Sequence, residues 1–207
     1  MDLSASDEDD PGAAWMMAWR GGDETAFDRL VERYSAQVWA LLTRFLGRHP
    51  GREDLVQEVF LRVVRSRERY EPRARFTTWL YRIVFNLCVN ETQRGAGREV
   101  RSLDEFDAPD AGGERRGAHR SIAADEGTDA PSTRMEQADV VAMVRRAIAA
   151  LPATQRMALV LAKYHDMPYS EIGEVLGSTE KAVKSLVHRA RESLRATLEP
   201  LLQEELS

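Results

Sequence analysis

The side chains best equipped for chemistry lie in two stretches. The first is Phe76 to Arg94, FTTWLYRIVFNLCVNETQR. Its outer face at helical spacing carries Thr77, Thr78, Tyr81, Arg82, Phe85, Asn86, Val89, Asn90 and Gln93. Aromatic rings, amides and guanidinium are the groups that stack on unpaired bases and hydrogen-bond to their edges. The same residues also suit a helix lying between two layers of core, with Tyr81 and Phe85 buried. The second stretch begins at Thr179 and carries Lys181, Lys184, Arg189, Arg191 and Arg195, with Ser185 and His188 among them. Such a face meets phosphates and base edges, although any amphipathic basic helix looks alike in isolation. Neither stretch makes or breaks bonds. The chain has no phosphate-binding glycine loop and no paired nucleophile and base, and its four histidines and one cysteine lack metal-ligand spacing. No enzyme activity and no cofactor are expected.

Helices must position both stretches. Phe76, Trp79, Leu80, Ile83, Val84, Leu87 and Cys88 form a continuous i, i+3, i+4, i+7 series behind the first. Before it, Asp23 reads as an N-cap for a helix bearing Phe27, Leu30, Val31, Tyr34, Val38, Leu41, Leu42 and Phe45, stopped at Gly47. A short helix over Ala13–Arg20 precedes that one. Another spans about Glu53 to Ser66, with Leu55, Val56, Val59, Phe60 and Val63 inward. Towards the end of the chain, Val140, Val141, Val144, Ala147 and Ile148 mark one helix, and Pro152 opens the next in its first turn. Ser170 is placed to cap the short SEIGEVLG helix, Gly177 to end it with left-handed backbone, and Thr179 to cap the last helix. Two helices around such a turn make a helix-turn-helix, with Val183, Leu186 or Val187, Ala190 and Leu194 inward. No stretch alternates long enough to argue a strand.

Net charge conceals a division. The whole chain carries −5, yet residues 11–94 hold 14 bases against 10 acids, and the first ten residues hold five acids and no base. Residues 95–133 hold five bases and nine acids, with few large apolar side chains. The expected organisation is therefore all-α: an acidic disordered tail (1–12), a basic helical domain (13–94), a flexible linker (95–133), a helix-turn-helix domain (134–200) and a short tail (201–207). The 39-residue linker would span about 130 Å fully extended and average about 35 Å as a coil. No run approaches the roughly 20 apolar residues of a membrane span. The lone Cys88 excludes an internal disulfide and suits a reducing cytoplasm. The acidic tail and linker could screen the basic surface of the first domain.

The stretches EDLVQEVFLRVVR (53–65), RFTTWLYRIVFNLCVNETQR (75–94) and ALPATQRMALVLAKYHDMPYSEIGEVLGSTEKAVKSLVHRARESL (150–194), in that order, resemble the bacterial σ70-family sigma factors of the extracytoplasmic-function (ECF) type. These pair a σ2 with a σ4 domain. The resemblance implies promoter DNA and core RNA polymerase as partners, through the β′ coiled coil and the β flap, and an anti-sigma factor as regulator. It implies that Asp54, Gln57, Glu58, Leu61 and Arg62 meet polymerase. It places Arg73, Arg75 and Arg82 on phosphates of the −10 element, and Asn86, Asn90 and Gln93 on its bases, with Tyr81 on the same face. It assigns Thr179, Lys181, Ala182, Lys184, Ser185, His188, Arg189 and Arg191 to the −35 element. The chain departs from the family pattern at Lys181-Ala182, where Gly-Thr is common, and at Leu186, where Arg often stands. It departs again at Phe85 and Asn90, where Arg and Asp are common. A plain helix-turn-helix regulator would explain 134–198 equally well, but leaves the two earlier motifs as coincidence.

Overall fold

The computed structural model describes residues 10–47, 49–101 and 131–205. Among them are eight α-helices and no strand: α1 (Gly12–Arg20), α2 (Thr25–Leu46), α3 (Arg52–Arg65), α4 (Phe76–Arg101), α5 (Pro131–Ala150), α6 (Ala153–Tyr164), α7 (Tyr169–Leu176) and α8 (Glu180–Glu205). One 3-10 turn, Arg67–Arg69, lies between α3 and α4.

The first domain forms because three apolar stripes close on one another. Leu30, Tyr34, Val38, Leu41, Leu42 and Phe45 of α2 are fully buried, as are Val59 and Val63 of α3 and Phe76, Leu80, Val84 and Cys88 of α4. A leucine-sized side chain contributes about 1.5–3 kcal/mol on such burial. Helix α1 lies across this bundle and meets α4 closely at Gly12. A Cβ there would fall 2.2 Å from the Phe76 ring, so only glycine fits. Asp23 caps α2 from two residues outside it, accepting from the Thr25 N–H at 3.1 Å and the Thr25 hydroxyl at 2.6 Å. Those bonds, the hydroxyl's first, hold its carboxyl below the usual carboxylate range.

The second domain wraps α5, α6 and α7 around α8. Met157, Ala158 and Leu161 of α6, Ile172 and Val175 of α7, and Val183, Val187 and Ala190 of α8 form its core. The two domains also touch: α6 and α7 pack on α2 and α4, and one apolar cluster runs through both. Arg156 staples the junction, donating to the carbonyls of Phe45 (3.0 Å), Leu151 (3.0 Å) and Ala149.

Several expected boundaries move. The tail drawn through residue 12 ends too late, because Asp10 is 4% exposed and fully engaged. Helix α4 continues to Arg101 through Gly95 and Gly97, α5 begins at Pro131, and α8 passes Pro200 to Glu205. A glycine costs an established helix only about 1 kcal/mol, less than is needed to stop it. Ser170 caps nothing; α7 starts one residue earlier behind Pro168, with no side-chain cap. The linker's remaining residues, 102–130, and the acidic residues 1–9 lie outside the described residues.

Candidate nucleic-acid interfaces

Helix α7 ends where Gly177 adopts left-handed backbone (φ 62°, ψ 41°). Two bonds close the turn: the Ser178 N–H donates to the Gly173 carbonyl at 2.7 Å, and the Gly177 N–H to the Glu174 carbonyl at 3.4 Å. Gly173 is required for a separate reason, since a Cβ there would lie 2.8 Å from the Ser178 carbonyl oxygen. Thr179 then accepts from the Ala182 N–H at 3.2 Å and starts α8. With Val183, Val187 and Ala190 facing inward, Lys181, Lys184, Ser185, His188, Arg189 and Arg191 are all exposed, and Ala182 is half-buried. Lys184 pairs with Glu180 at 2.8 Å, one turn earlier, which favours its charged form. Arg189 Nε donates to the Ser185 carbonyl at 3.3 Å, which aligns the guanidinium along the exposed face. The arrangement presents a row of cations and short polar groups at the N-terminal half of a protruding helix, the geometry that enters a major groove.

The outer face of α4 divides in two. Towards its C-terminal half, Arg82, Asn86, Asn90 and Gln93 are exposed, as are Arg73 and Arg75 just before the helix. Tyr81, by contrast, is 3% exposed. Its phenol oxygen lies 3.1 Å from Gln37 Oε1 and 3.0 Å from His165 Nδ1. Each group has a role if His165 Nδ1–H donates to the phenol oxygen and the phenol donates to Gln37. Among the described residues His165 Nε2 then remains buried without a hydrogen-bond partner. Burial and the Arg44 guanidinium push the His165 pKa down to about 4, and burial pushes the Tyr81 phenol up to about 12. One residue-turn away, Thr78 donates to Glu171 of α7 at 3.2 Å, and Arg75 pairs with Glu171 at 3.6 Å and with Asp10 at 3.7 Å. An open groove of about 540 Å3 runs along this junction.

On α3, Asp54, Gln57 and Leu61 face solvent, whereas Glu58 is held by Arg62 at 2.9 Å and Arg65 at 3.6 Å. The Arg62 bond chiefly lowers the Glu58 pKa. Leu61 and Val64, three residues apart, are 48% and 40% exposed. Adjacent exposed aliphatics rimmed by carboxylates and guanidinium are what a protein partner covers.

Two families of known sequence match these two parts of the chain. Sigma-70 region 2 matches residues 30–98, and Sigma-70, region 4 matches residues 142–194. The chain is 31% identical over 184 residues to the RNA polymerase sigma-H factor of Pseudomonas aeruginosa, covering 88% of this chain and 91% of that protein. It is 33% identical over 182 residues to the ECF RNA polymerase sigma-E factor of Haemophilus influenzae, covering 87% and 92%. The chain belongs to the ECF sigma-70 factors. A Bacillus subtilis relative, the ECF sigma factor SigW, is 31% identical over 180 residues, covering 87% and 92%. Among solved structures, CnrH, bound there to the cytosolic domain of CnrY, shares the fold at TM-score 0.62 and 23% identity, over 92% of this chain and 99% of that one. The sigma factor RpoE of Bartonella quintana, in complex with the anti-sigma factor NepR, does so at 0.59 and 22%, over 84% and 96%.

In this sigma factor the structure gathers the α8 residues on one open face and leaves Arg82, Asn86, Asn90 and Gln93 on another. It separates Tyr81 from them by seating the second domain over it. Reading by type and spacing missed four participants. Val64 extends the α3 patch, and its position three residues after Leu61 was a usable signal. Asp10, Glu171 and Arg156 act across 67, 93 and 111 residues of sequence, where local spacing carries no signal.

Proposed function

We propose that this chain is a promoter-selecting subunit that binds core RNA polymerase, directs it to −35 and −10 elements and assists melting of the −10 duplex. The exposed row from Lys181 to Arg191 behind a correctly built helix-turn-helix carries this reading, because it supplies phosphate cations and base-edge groups in the geometry a −35 duplex requires. Thr179 and Ala182 sit at the start of that row. Arg73, Arg75 and Arg82 serve as phosphate contacts for the −10 strand. Asn86, Asn90 and Gln93 read unpaired bases, and Tyr81 stacks once uncovered. The polymerase contact is the face of α3 with Asp54, Gln57, Glu58, Leu61 and Arg62, extended by Val64. The β′ coiled coil is the partner of that face, and the β flap that of the second domain. The protein works in the cytoplasm without a cofactor, and the polymerase performs the chemistry.

Control by an anti-sigma factor is part of the proposal. It is supported by two solved proteins of this fold being held by other proteins, CnrH by CnrY and the sigma factor RpoE by the anti-sigma factor NepR. Run-off transcription with bacterial core polymerase on pooled genomic promoter fragments tests the central claim. Discrete transcripts that require this chain are expected. No transcript together with no binding to core polymerase overturns it, and would leave the chain a plain DNA-binding regulator.

A further inference from the structure

Two of the residues proposed to hold the −10 strand, Arg75 and Tyr81, are already engaged from within the chain, while Asn86, Asn90 and Gln93 stay exposed. Arg75 lies between two carboxylates, Asp10 at 3.7 Å and Glu171 at 3.6 Å. Thr78, 3% exposed, gives its hydroxyl to the same Glu171, and Tyr81 is bonded to His165. Arg82 lies beside the helix-turn-helix turn, its Nη2 3.8 Å from where a Cβ on Gly177 would stand. Apart from Asp10, which belongs to the first domain, the bonding groups come from one corner of the second domain, the end of α6 and the start of α7. Each resembles what DNA offers: a carboxylate for a phosphate oxygen, a planar ring at the edge of Tyr81 (centroids 5.0 Å apart, planes at 74°) for a base.

We infer that the α6–α7 corner is an internal competitor for the single strand that α4 binds, with Glu171 standing where a backbone phosphate pairs with Arg75 and His165 where a base meets Tyr81. The inference rests on the reading of α4 as the −10 face and names how that face is regulated. The corner meets α4 through polar bonds that can exchange, beside the apolar cluster that runs through both domains. Every bond it uses is replaced by one to DNA or water when the domains part, so DNA and closure exclude each other on the same atoms. The −35 face of α8 stays open throughout, so the competition affects only one of the two promoter elements.

The test uses the full chain without polymerase. Binding of a labelled mixed-sequence single-stranded 12-mer is measured by fluorescence anisotropy at low salt, and the radius of gyration is measured by X-ray scattering. Glu171→Gln removes the competing charge; Glu174→Gln, an exposed carboxylate on the same helix, controls for net charge. Relieving Arg75 of one of its two carboxylates, with Asp10 still beside it, predicts about threefold to tenfold tighter binding by Glu171→Gln. Glu174→Gln should change binding less than about twofold. The gain should vanish in Glu171→Gln/Arg75→Gln, and Glu171→Gln should enlarge the radius of gyration. Equal affinities of Glu171→Gln and Glu174→Gln, or an unchanged radius, overturn the inference. Failure of the α4 assignment has a different signature: Arg75→Gln would leave promoter-directed transcription unchanged while the change in radius persists.

Discussion

Asp10 is the most demanding test of the first domain, because a residue from an acidic run performs the work of a core residue. Its carboxylate accepts from the Tyr34 hydroxyl at 2.5 Å, and from the Thr77 N–H and Thr77 hydroxyl, both at 3.0 Å. Tyr34 in turn accepts from the Gly12 N–H at 3.0 Å, so one carboxylate ties α1, α2 and the first turn of α4 together. Burial and that neighbouring carboxylate push the Tyr34 phenol well above its ordinary value and keep it a donor. Asp10→Ala leaves the Thr77 N–H without its acceptor at the positive end of a helix, a loss of about 1–2 kcal/mol. It also strands the Tyr34 hydroxyl, at about 1–2 kcal/mol more. Relief of carboxylate desolvation offsets part of this. The expected net loss is about 2 kcal/mol, and about 1 kcal/mol for Asp10→Asn, which keeps one carbonyl oxygen.

Urea denaturation followed by tryptophan fluorescence measures this directly. Trp15, Trp19, Trp39 and Trp79 all lie in the first domain, so the signal is specific to it. Tyr34→Phe should cost about 1–2 kcal/mol alone. Combined with Asp10→Ala it should cost clearly less than the sum, by about 1 kcal/mol, because the two share a bond. A loss below about 0.5 kcal/mol for Asp10→Ala, the range of an ordinary surface change, would refute the reasoning.

Three further outcomes follow from the second domain and the junction. Gly173→Ala forces a Cβ to within 2.8 Å of the Ser178 carbonyl, a backbone atom that gives way only by opening the turn; a loss of about 1–3 kcal/mol is expected, with weakened duplex binding by mobility shift, and unaltered stability would count against the turn geometry. Single substitutions Lys184→Ala and Arg189→Ala should each lower the slope of log affinity against log salt by about 1 on a −35 duplex, measured by anisotropy between low and moderate salt; an unchanged slope removes that residue from the phosphate contacts. His165 supplies the pH dependence. Its folded pKa of about 4 lies below the unfolded value near 6.5. The contribution is therefore complete above pH 6.5 and is lost as pH falls from there towards 4. Full burial would make it about 3 kcal/mol, and the partial exposure of the ring reduces this to about 1–2. Scattering between pH 7.5 and 4.5 should show opening that His165→Asn removes; identical pH profiles would refute it.

What the sequence made legible was local. The stripes of α2, α3 and α4, the left-handed Gly177 and the Thr179 cap are each set by side chains within a few residues, and each stands where spacing placed it. The closing of Val183, Val187 and Ala190 on α7 belongs to the same class. Asp10 was illegible for the opposite reason. Composition assigns an acidic run to solvent, and only the 24- and 67-residue jumps to Tyr34 and Thr77 recruit its last member to the core. Arg156 likewise reads as a surface base on α6 until the Phe45 carbonyl and ring arrive from α2, the ring 4.8 Å away. Helix ends at Gly95 and Pro200 were misplaced because a breaker weighs about 1–3 kcal/mol against a helix already propagating.

The composition of α4's outer face fits both the packing seen in the structure and the strand binding proposed for it. Read by residue type, it fits both a helix buried between core layers and a helix that stacks on bases, because burial and stacking select the same aromatic and small polar side chains. The structure assigns the first use to part of the face: Thr78, Tyr81 and Phe85 are buried, the first two bonded to α7 and to the end of α6. Asn86, Asn90 and Gln93 remain open, about one to three turns beyond Tyr81 along the same helix. A lysine or glutamate at 78 or 81 would keep the face wet and prevent closure; a leucine at 81 would close it but offer no hydroxyl to His165 and a poorer platform for a base. Tyrosine and threonine satisfy both states. The Thr78 hydroxyl donates to Glu171 when the domains meet and to water or DNA when they part. The Tyr81 hydroxyl donates to Gln37 of α2 in either state and accepts from His165 on closure. Substituting Tyr81→Leu should therefore separate the uses, preserving the compact radius while weakening single-strand binding several-fold, and a variant that lost both together would mean that the ring serves closure alone.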